Sequence, residues 1–142
     1  MASRVILGLA AVLAIVILVA GFLLAANFLV GQRQVLMKTD KEVYDPGEVA
    51  KVRLVNLGST RVWTGSDFLV ERLEGGEWVF SDELTPDYFT LELRILEPGG
   101  SMEWTIALGE AEPGEYRVVK EVWLDSWGEE RVTLYAYFRV RG

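Results

Sequence analysis

The chain contains two different hydrophobic patterns, which meet near residue 32. Residues 5–31 form a run of 27 positions without a charged side chain. From residue 34 onward, apolar and polar residues alternate between turns rich in Gly and Pro, a pattern typical of β-strands. The sequence therefore predicts an N-terminal helix within residues 1–31 and one β domain at residues 32–142.

The uncharged run is long enough to cross a membrane. As a helix it reaches about 40 Å, whereas the hydrocarbon core of a bilayer is about 30 Å thick. The apolar core of a secretory signal is only about 7–15 residues long. Small residues at Ala20 and Gly21 would fit a cleavage site, but a cut there would expose the apolar residues that follow. We therefore predict a retained single-pass transmembrane anchor.

The alternation after residue 34 predicts roughly eight short strands. An extended segment is expected at residues 34–44, and residues 90–96 are expected to form a strand that carries Leu91, Leu93 and Ile95 on one face. The clearest strand is residues 131–140, with the inward row Val132, Leu134, Ala136, Phe138 and Val140. Short strands at near-regular spacing, with no helical window, favour an all-β sandwich of two sheets.

Turn motifs follow one another in a fixed order through the β region. They are Tyr44-x-Pro46-Gly47-Glu48, Asn56-x-Gly58-Ser59, Arg72-x-x-x-Gly76-x-Trp78, Leu96-x-Pro98-Gly99-x-Ser101 with Trp104, and Pro113-Gly114-x-Tyr116-Arg117. Over about residues 36–142 this series resembles a group of bacterial Ig-like domains of exported and surface proteins. The resemblance implies an Ig-like, two-sheet Greek-key sandwich, here preceded by a single transmembrane α-helix. It implies a cell-surface setting and no catalytic residues.

Four residues carry expectations about packing. Tyr116 follows a Pro-Gly turn, where a Greek-key sandwich can place a tyrosine corner whose hydroxyl bonds back to nearby backbone. Trp78 and Trp104 are expected in the core. Lys120 interrupts an inward-facing row, which indicates a bulge or an edge strand rather than an ion site.

Composition excludes several classes of function. The 21 acidic and 13 basic residues after residue 31 give the domain a net charge of −8, which disfavours binding to nucleic acid or to anionic lipid. The chain has no Cys and no His, so thiolate and imidazole chemistry and most metal sites are excluded. Few amide side chains and many charged ones are typical of thermophilic proteins. We expect no cofactor and no metal.

The acidic loop at residues 81–88 is the strongest candidate for chemistry. Asp82, Glu83 and Asp87 could act as acid and base on a sugar or bind a hard cation. The loop lacks the D-x-D-x-D-G spacing, so we interpret these residues as solvated loop acids. No Ser lies in a G-x-S-x-G motif. The sequence therefore predicts a protein that is not an enzyme.

Aromatic residues form the candidate binding surface. Alternation places five of them away from the core, on strand faces or in loops, where they would suit a protein partner or sugar rings. The alternative is that a partner subunit or the first segment covers this face and each ring only packs. The five residues are Trp63, Trp123, Trp127, Tyr135 and Tyr137.

These features predict a membrane-anchored, extracytoplasmic Ig-like module with a binding, adhesion or structural role. Its partners would be the membrane, through residues 5–31, and a protein or another part of the cell envelope. The positive-inside rule leans slightly against an external domain, which we nevertheless favour for its short N-terminal tail and Ig-like character. The chain could also self-associate through its helix.

Two alternatives remain open. One is a subunit or accessory protein of a cell-surface filament or envelope assembly, although no basic-Gly processing site precedes the hydrophobic run. The other is an Ig-like proteinase inhibitor that presents a loop such as residues 81–88.

Overall fold

The computed structural model describes residue 13 and residues 15–20, 34–124 and 130–142. Residue 13 and residues 15–20 are helical. Among these described residues, no helix is long and apolar enough to cross a membrane. Most of the predicted anchor at residues 5–31 lies outside the described residues. The β region is a separate compact unit that begins at Gln34.

Over the described residues 34–124 and 130–142, the β unit has ten strands in two sheets. The smaller sheet has the order β1-β3-β8; the larger sheet has the order β2-β10-β9-β4-β7, and the β5-β6 hairpin joins it through β9. All pairs are antiparallel except β2 with β10. The strands are β1 (Val35–Thr39), β2 (Val43–Tyr44), β3 (Val49–Asn56), β4 (Val62–Thr64), β5 (Leu69–Glu74), β6 (Glu77–Phe80), β7 (Arg94–Leu96), β8 (Ser101–Ala107), β9 (Gly114–Trp123) and β10 (Arg131–Val140).

The core lies between the inner faces of the two sheets. Ala50, Val52 and Leu54 alternate along β3 and are completely buried. On β10, the predicted inward row is buried at Ala136, Phe138 and Val140 and half-buried at Val132 and Leu134. Because side chains alternate across a strand, the residues between them face solvent. The prediction of an all-β sandwich of two sheets is confirmed.

The predicted tyrosine corner is present. The Tyr116 hydroxyl donates a hydrogen bond of 2.7 Å to the Glu112 carbonyl, four residues upstream. The Tyr116 ring is buried and stacks on Phe138, with 5.4 Å between ring centroids. Trp104 also packs against the core, as predicted.

Two strand predictions need correction. The segment at residues 34–44 is divided into β1 and β2, which belong to different sheets, because the chain turns at Asp40. The Asp40 carboxylate accepts hydrogen bonds from the Tyr44 hydroxyl at 2.5 Å and from the Lys51 amide at 2.9 Å. The predicted strand at residues 90–96 is reduced to β7, and its apolar row remains exposed, at 63% for Leu93.

The prediction of a bulge or an edge at Lys120 is wrong. Lys120 is on β9, opposite Leu134 on β10. Strand β9 lies between β10 and other strands of the larger sheet, so it is not an edge strand. Its buried ammonium group donates hydrogen bonds to the carbonyls of Gly65, at 2.9 Å, and Asp67, at 2.5 Å. Burial lowers the pKa of Lys120. The charge is accommodated by two carbonyls of the β4–β5 loop, so the strand remains regular.

Candidate partner-binding face

Strand register determines which side chains share the outer face of the larger sheet. Directly opposed residues of paired strands lie on one face. Arg117 on β9 lies opposite Tyr137 on β10 and opposite Glu71 on β5. Tyr135 lies opposite Val119 in the neighbouring row. These pairs bring residues of β5, from the middle of the sequence, and of β9 and β10, from its C-terminal part, to one surface.

Trp78 belongs to this outer face, and its predicted place in the core is wrong. It lies on β6 opposite Leu73 and is half-buried. Its ring meets the Tyr137 ring edge-on, with 5.7 Å between centroids and 60° between planes. The β5–β6 hairpin is formed by the two-residue turn Gly75-Gly76, in which both glycines have positive φ, a conformation that favours glycine.

Arg117 lies between two of the aromatic rings. Its guanidinium carbon is 4.5 Å from the centroid of Trp78 and 4.4 Å from that of Tyr135, within the range of cation–π attraction. Its Nε donates a hydrogen bond of 2.5 Å to the Glu71 carboxylate. Burial opposes the charge of Arg117, but the hydrogen bond to the Glu71 carboxylate and the negative charge of that group help to outweigh it, and the pKa of Arg117 is raised. These contacts hold the guanidinium and the rings in fixed positions.

We call Trp78, Arg117, Tyr135 and Tyr137 the aromatic platform. The side chains of Tyr135 and Tyr137 are 42% and 57% exposed, and their centroids are 6.3 Å apart. Each ring therefore has a free surface although its neighbours restrict its movement. Such rigid amphipathic rings lose little conformational entropy when they bind a partner.

An open groove of about 410 Å³ continues from the platform. Trp78 and Tyr137 line it, together with Glu42, Glu115 and Arg139. Arg139 and Glu115 form an ion pair at 2.9 Å, so these two charges largely neutralise each other. The platform and groove together provide stacking surfaces beside carboxylate and guanidinium groups that can form hydrogen bonds.

The five aromatic residues proposed from the sequence do not form one cluster. Tyr135 and Tyr137 belong to the platform. Trp63 and Trp123 oppose each other on β4 and β9 and are half-buried. Trp123 is four residues along β9 from Val119, the partner of Tyr135, which corresponds to about 13 Å. Trp127 lies outside the described residues.

Sequence reasoning missed two members of the platform, Trp78 and Arg117. The alternation of β6 is too short to show which face is buried. A usable signal was the Gly75-Gly76 turn, because a two-residue hairpin fixes the register of the flanking strands. That register places Trp78 opposite Leu73.

The three acidic residues of the loop at residues 81–88 line an open pocket of about 290 Å³. Asp82, Glu83 and Asp87 are all exposed. In the part of the chain that the structure describes, no three acidic side chains are grouped so that they could hold a metal ion.

Comparison with known proteins gives a family match. The model of the family described as "Bacterial Ig-like domain" matches residues 31–139. No match was found among curated proteins.

Solved structures with a similar fold are distant. One is an ASH/PapD-like domain of human CEP192, with 16% identity over 77% of this chain and 84% of that chain and a TM-score of 0.45. Another is the sporulation control protein Spo0M of Bacillus subtilis, with 17% identity over 77% of this chain and a TM-score of 0.48. A third belongs to the CsuC–CsuE chaperone–tip adhesion subunit complex of Acinetobacter baumannii, with 14% identity over 76% of this chain and a TM-score of 0.46. The match spans 49% of the Spo0M chain and 56% of the Acinetobacter chain.

Proposed function

Because the chain belongs to the bacterial Ig-like domain family, whose model covers residues 31–139, we propose that it is a membrane-anchored, extracytoplasmic binding module. Residues 5–31 anchor it in the cell membrane as a single-pass helix, and the β-sandwich lies outside. The sandwich binds a protein or another component of the cell envelope through the aromatic platform. It catalyses no reaction.

The main support for this proposal is the set of residue types in the aromatic platform and the contacts that hold them in place. Trp, Tyr and Arg are the residues most enriched among those that dominate binding energy at protein interfaces. Here two exposed Tyr rings, a Trp and an Arg are in mutual contact. Glu71 neutralises the guanidinium charge within the sheet. A partner would therefore meet an ordered, nearly neutral, aromatic surface.

Membrane anchoring is supported by the sequence of residues 5–31. The run contains 27 residues with no charge, more than the roughly 20 that a spanning helix needs. A domain with a net charge of −8 is repelled by anionic headgroups, so the apolar run supplies the attachment. The absence of His and Cys from the sequence removes the usual bases and nucleophiles and supports binding rather than catalysis.

Replacing Tyr135 and Tyr137 together by serine separates binding from folding. Because both rings are exposed, each substitution should change the free energy of unfolding by no more than about 1 kcal/mol. Binding to cell-envelope preparations from the source organism should weaken about tenfold or more, since interface aromatics of this kind contribute at least about 1.4 kcal/mol. Co-sedimentation of the β domain with envelope fragments measures the binding, and denaturant titration measures the stability.

Phe138→Ser is the matched control for folding. Phe138 is adjacent in sequence but only 4% exposed, so its loss should destabilise the domain by about 3 kcal/mol or more. If the double Tyr variant bound as tightly as the native domain, the platform would not be the binding face. If it failed to unfold cooperatively, the two rings would belong to the core.

A further inference from the structure

The two ends of the sandwich differ in chemistry. We call one of them the Gln34 end: β1 begins there after Gln34, β3 and β7 end there at Asn56 and Leu96, and β4 begins there at Val62. Backbone hydrogen bonds of 2.9 Å join Asn56 to Gly99 and Gly100 in the loop between β7 and β8. The opposite end holds the turns at residues 45–48, 75–76 and 108–113.

Gln34 is held firmly at its end of the sandwich. Its carbonyl accepts a hydrogen bond of 2.7 Å from the Leu57 amide, and its side-chain amide donates one of 2.5 Å to the Thr60 hydroxyl. The point at which the chain enters the β domain is therefore fixed by the β3–β4 loop.

Very little chain separates this point from the uncharged run. Only Gln32 and Arg33 lie between Gly31 and Gln34 in the sequence. Each residue spans at most about 3.6 Å, so the three steps reach about 11 Å. If residues 5–31 cross the bilayer, as the proposed function requires, this short tether keeps the Gln34 end close to the membrane surface.

The side chains at this end are suited to such a position. Leu57 is 59% exposed although it directly follows the end of β3. Trp63 and Ile95 oppose each other one residue inside the sandwich, and Ile95 is 44% exposed. Trp is enriched at the boundary between lipid and water; the Trp63 ring is half-buried, with its indole nitrogen inside the fold, so only the apolar edge of the ring faces outward. That boundary layer is about 5–8 Å thick on each side of the hydrocarbon core, a depth that two residues of a strand would cover.

The opposite end is unsuited to lipid because exposed carboxylates surround it. Charged groups are costly to remove from water, so this end favours the aqueous side. The carboxylates belong to Asp45, Glu74, Glu77, Glu110, Glu112 and Glu115. Arg72, Arg139 and Arg141 pair with four of these carboxylates, and those of Glu77 and Glu110 form no ion pair with another of the described residues.

We propose that the Gln34 end docks on the bilayer surface, with Leu57 in the headgroup layer and Trp63 and Ile95 at its outer margin. The lipid is zwitterionic. Arg61 and Arg131 at this end are paired with Glu97 and Glu121 at 2.9 Å and 3.4 Å, so they provide no excess positive charge for anionic headgroups.

Fluorescent labels on the full chain in phosphatidylcholine vesicles test this docking. The sequence contains no Cys, so Leu57→Cys and, separately, Ser59→Cys each provide one site for a bimane label at the Gln34 end. Val49→Cys is the matched control, since Val49 is 52% exposed at the first residue of β3, far from Gln34. We expect lipids brominated near the headgroup to quench both labels at the Gln34 end and to leave the Val49 label unchanged.

Flotation of the vesicles separates failure of docking from failure of anchoring. If the chain floats with the vesicles but no label is quenched, or all three are quenched equally, the docking proposal is overturned and the anchor stands. If the chain does not float, anchoring fails, and the docking that rests on it fails too.

Discussion

Asn56→Ala is expected to lower the free energy of unfolding of the β domain by about 3 kcal/mol. The Asn56 side chain is completely buried. Its amide group donates hydrogen bonds to the carbonyls of Thr60, at 2.7 Å, and Leu96, at 2.9 Å, and its carbonyl oxygen accepts one of 3.0 Å from the Gly58 amide. Each hydrogen bond to a buried group contributes about 1 kcal/mol, and partners left unsatisfied add to the loss.

Denaturant titration of the β domain measures this effect. Asn56→Asp should be at least as destabilising, because a carboxylate keeps the acceptor for Gly58 but would face the Thr60 and Leu96 carbonyls without a donor. Leu57→Ala, at the exposed neighbour, should change stability by less than about 0.5 kcal/mol. A loss below about 1 kcal/mol for Asn56→Ala would show that the loop does not depend on this side chain.

Tyr44→Phe is expected to lower stability by about 2 kcal/mol at neutral pH and to remove a loss of stability in alkali. The Tyr44 hydroxyl donates to the Asp40 carboxylate at 2.5 Å and accepts from the Lys41 amide at 3.1 Å. A hydrogen bond to a charged group contributes about 1.5–3 kcal/mol. The Tyr44 ring is also buried, and it meets the Phe138 ring edge-on, with 5.7 Å between centroids.

The alkaline effect follows from the raised pKa of Tyr44. Burial, with the hydrogen bond to Asp40, raises the pKa of Tyr44 in the folded state to about 12, whereas the unfolded chain has a value of about 10. Between these values the folded state keeps a proton that the unfolded state has lost. Stability is therefore full below about pH 10 and falls by about 3 kcal/mol as the pH rises through about 12.

The difference in the free energy of unfolding between the native protein and Tyr44→Phe, measured as a function of pH, isolates the contribution of the Tyr44 hydroxyl. Denaturant midpoints should be measured from pH 8 to pH 12 for both, with Tyr137→Phe as a control that removes an exposed phenol. The two curves should converge above about pH 10. If they remain parallel over the whole range, the hydroxyl of Tyr44 does not stabilise the folded state in the way the structure indicates.

These two residues explain why parts of the fold could be predicted from the sequence. Tyr44 and Asn56 each begin a turn motif that the sequence shows, and each bonds to backbone groups nearby in sequence, at Lys41 and at Gly58 and Thr60. The bond from Asn56 to Leu96, 40 residues away, could not be read from the motif. The tyrosine corner also depends on residues close in sequence, because the Tyr116 hydroxyl bonds to a carbonyl only four residues upstream. The strand β10 was predicted in full because one face is buried along its length and the other is not.

The wrong predictions concern segments whose burial is decided by contacts with residues distant in sequence. The apolar row Leu91, Leu93 and Ile95 alternates as a buried strand would, but alternation does not reveal which face is covered. Lys120 looked like a defect because the carbonyls that accept its hydrogen bonds, at Gly65 and Asp67, are more than 50 residues away.

The candidate site was only partly predictable for the same reason. Tyr135 and Tyr137 were identified because β10 alternates clearly. Their contacts with Trp78 and Arg117 depend on the pairing of β9 with β5 and of β5 with β6, which periodicity alone does not give. Trp63 and Trp123 share the outward face but lie nearer the Gln34 end, outside the platform.

Site-specific photo-cross-linking in living cells tests the central claim most directly. A benzophenone amino acid would replace Tyr137 in the full chain, or Leu36, an apolar residue of the smaller sheet that is 41% exposed. Light should then join the chain to one dominant partner from position 137 and not from position 36. Digestion of the adduct with protease or periodate would tell a protein from a glycan. Equal labelling from both positions, or none from position 137, would contradict the proposed binding face.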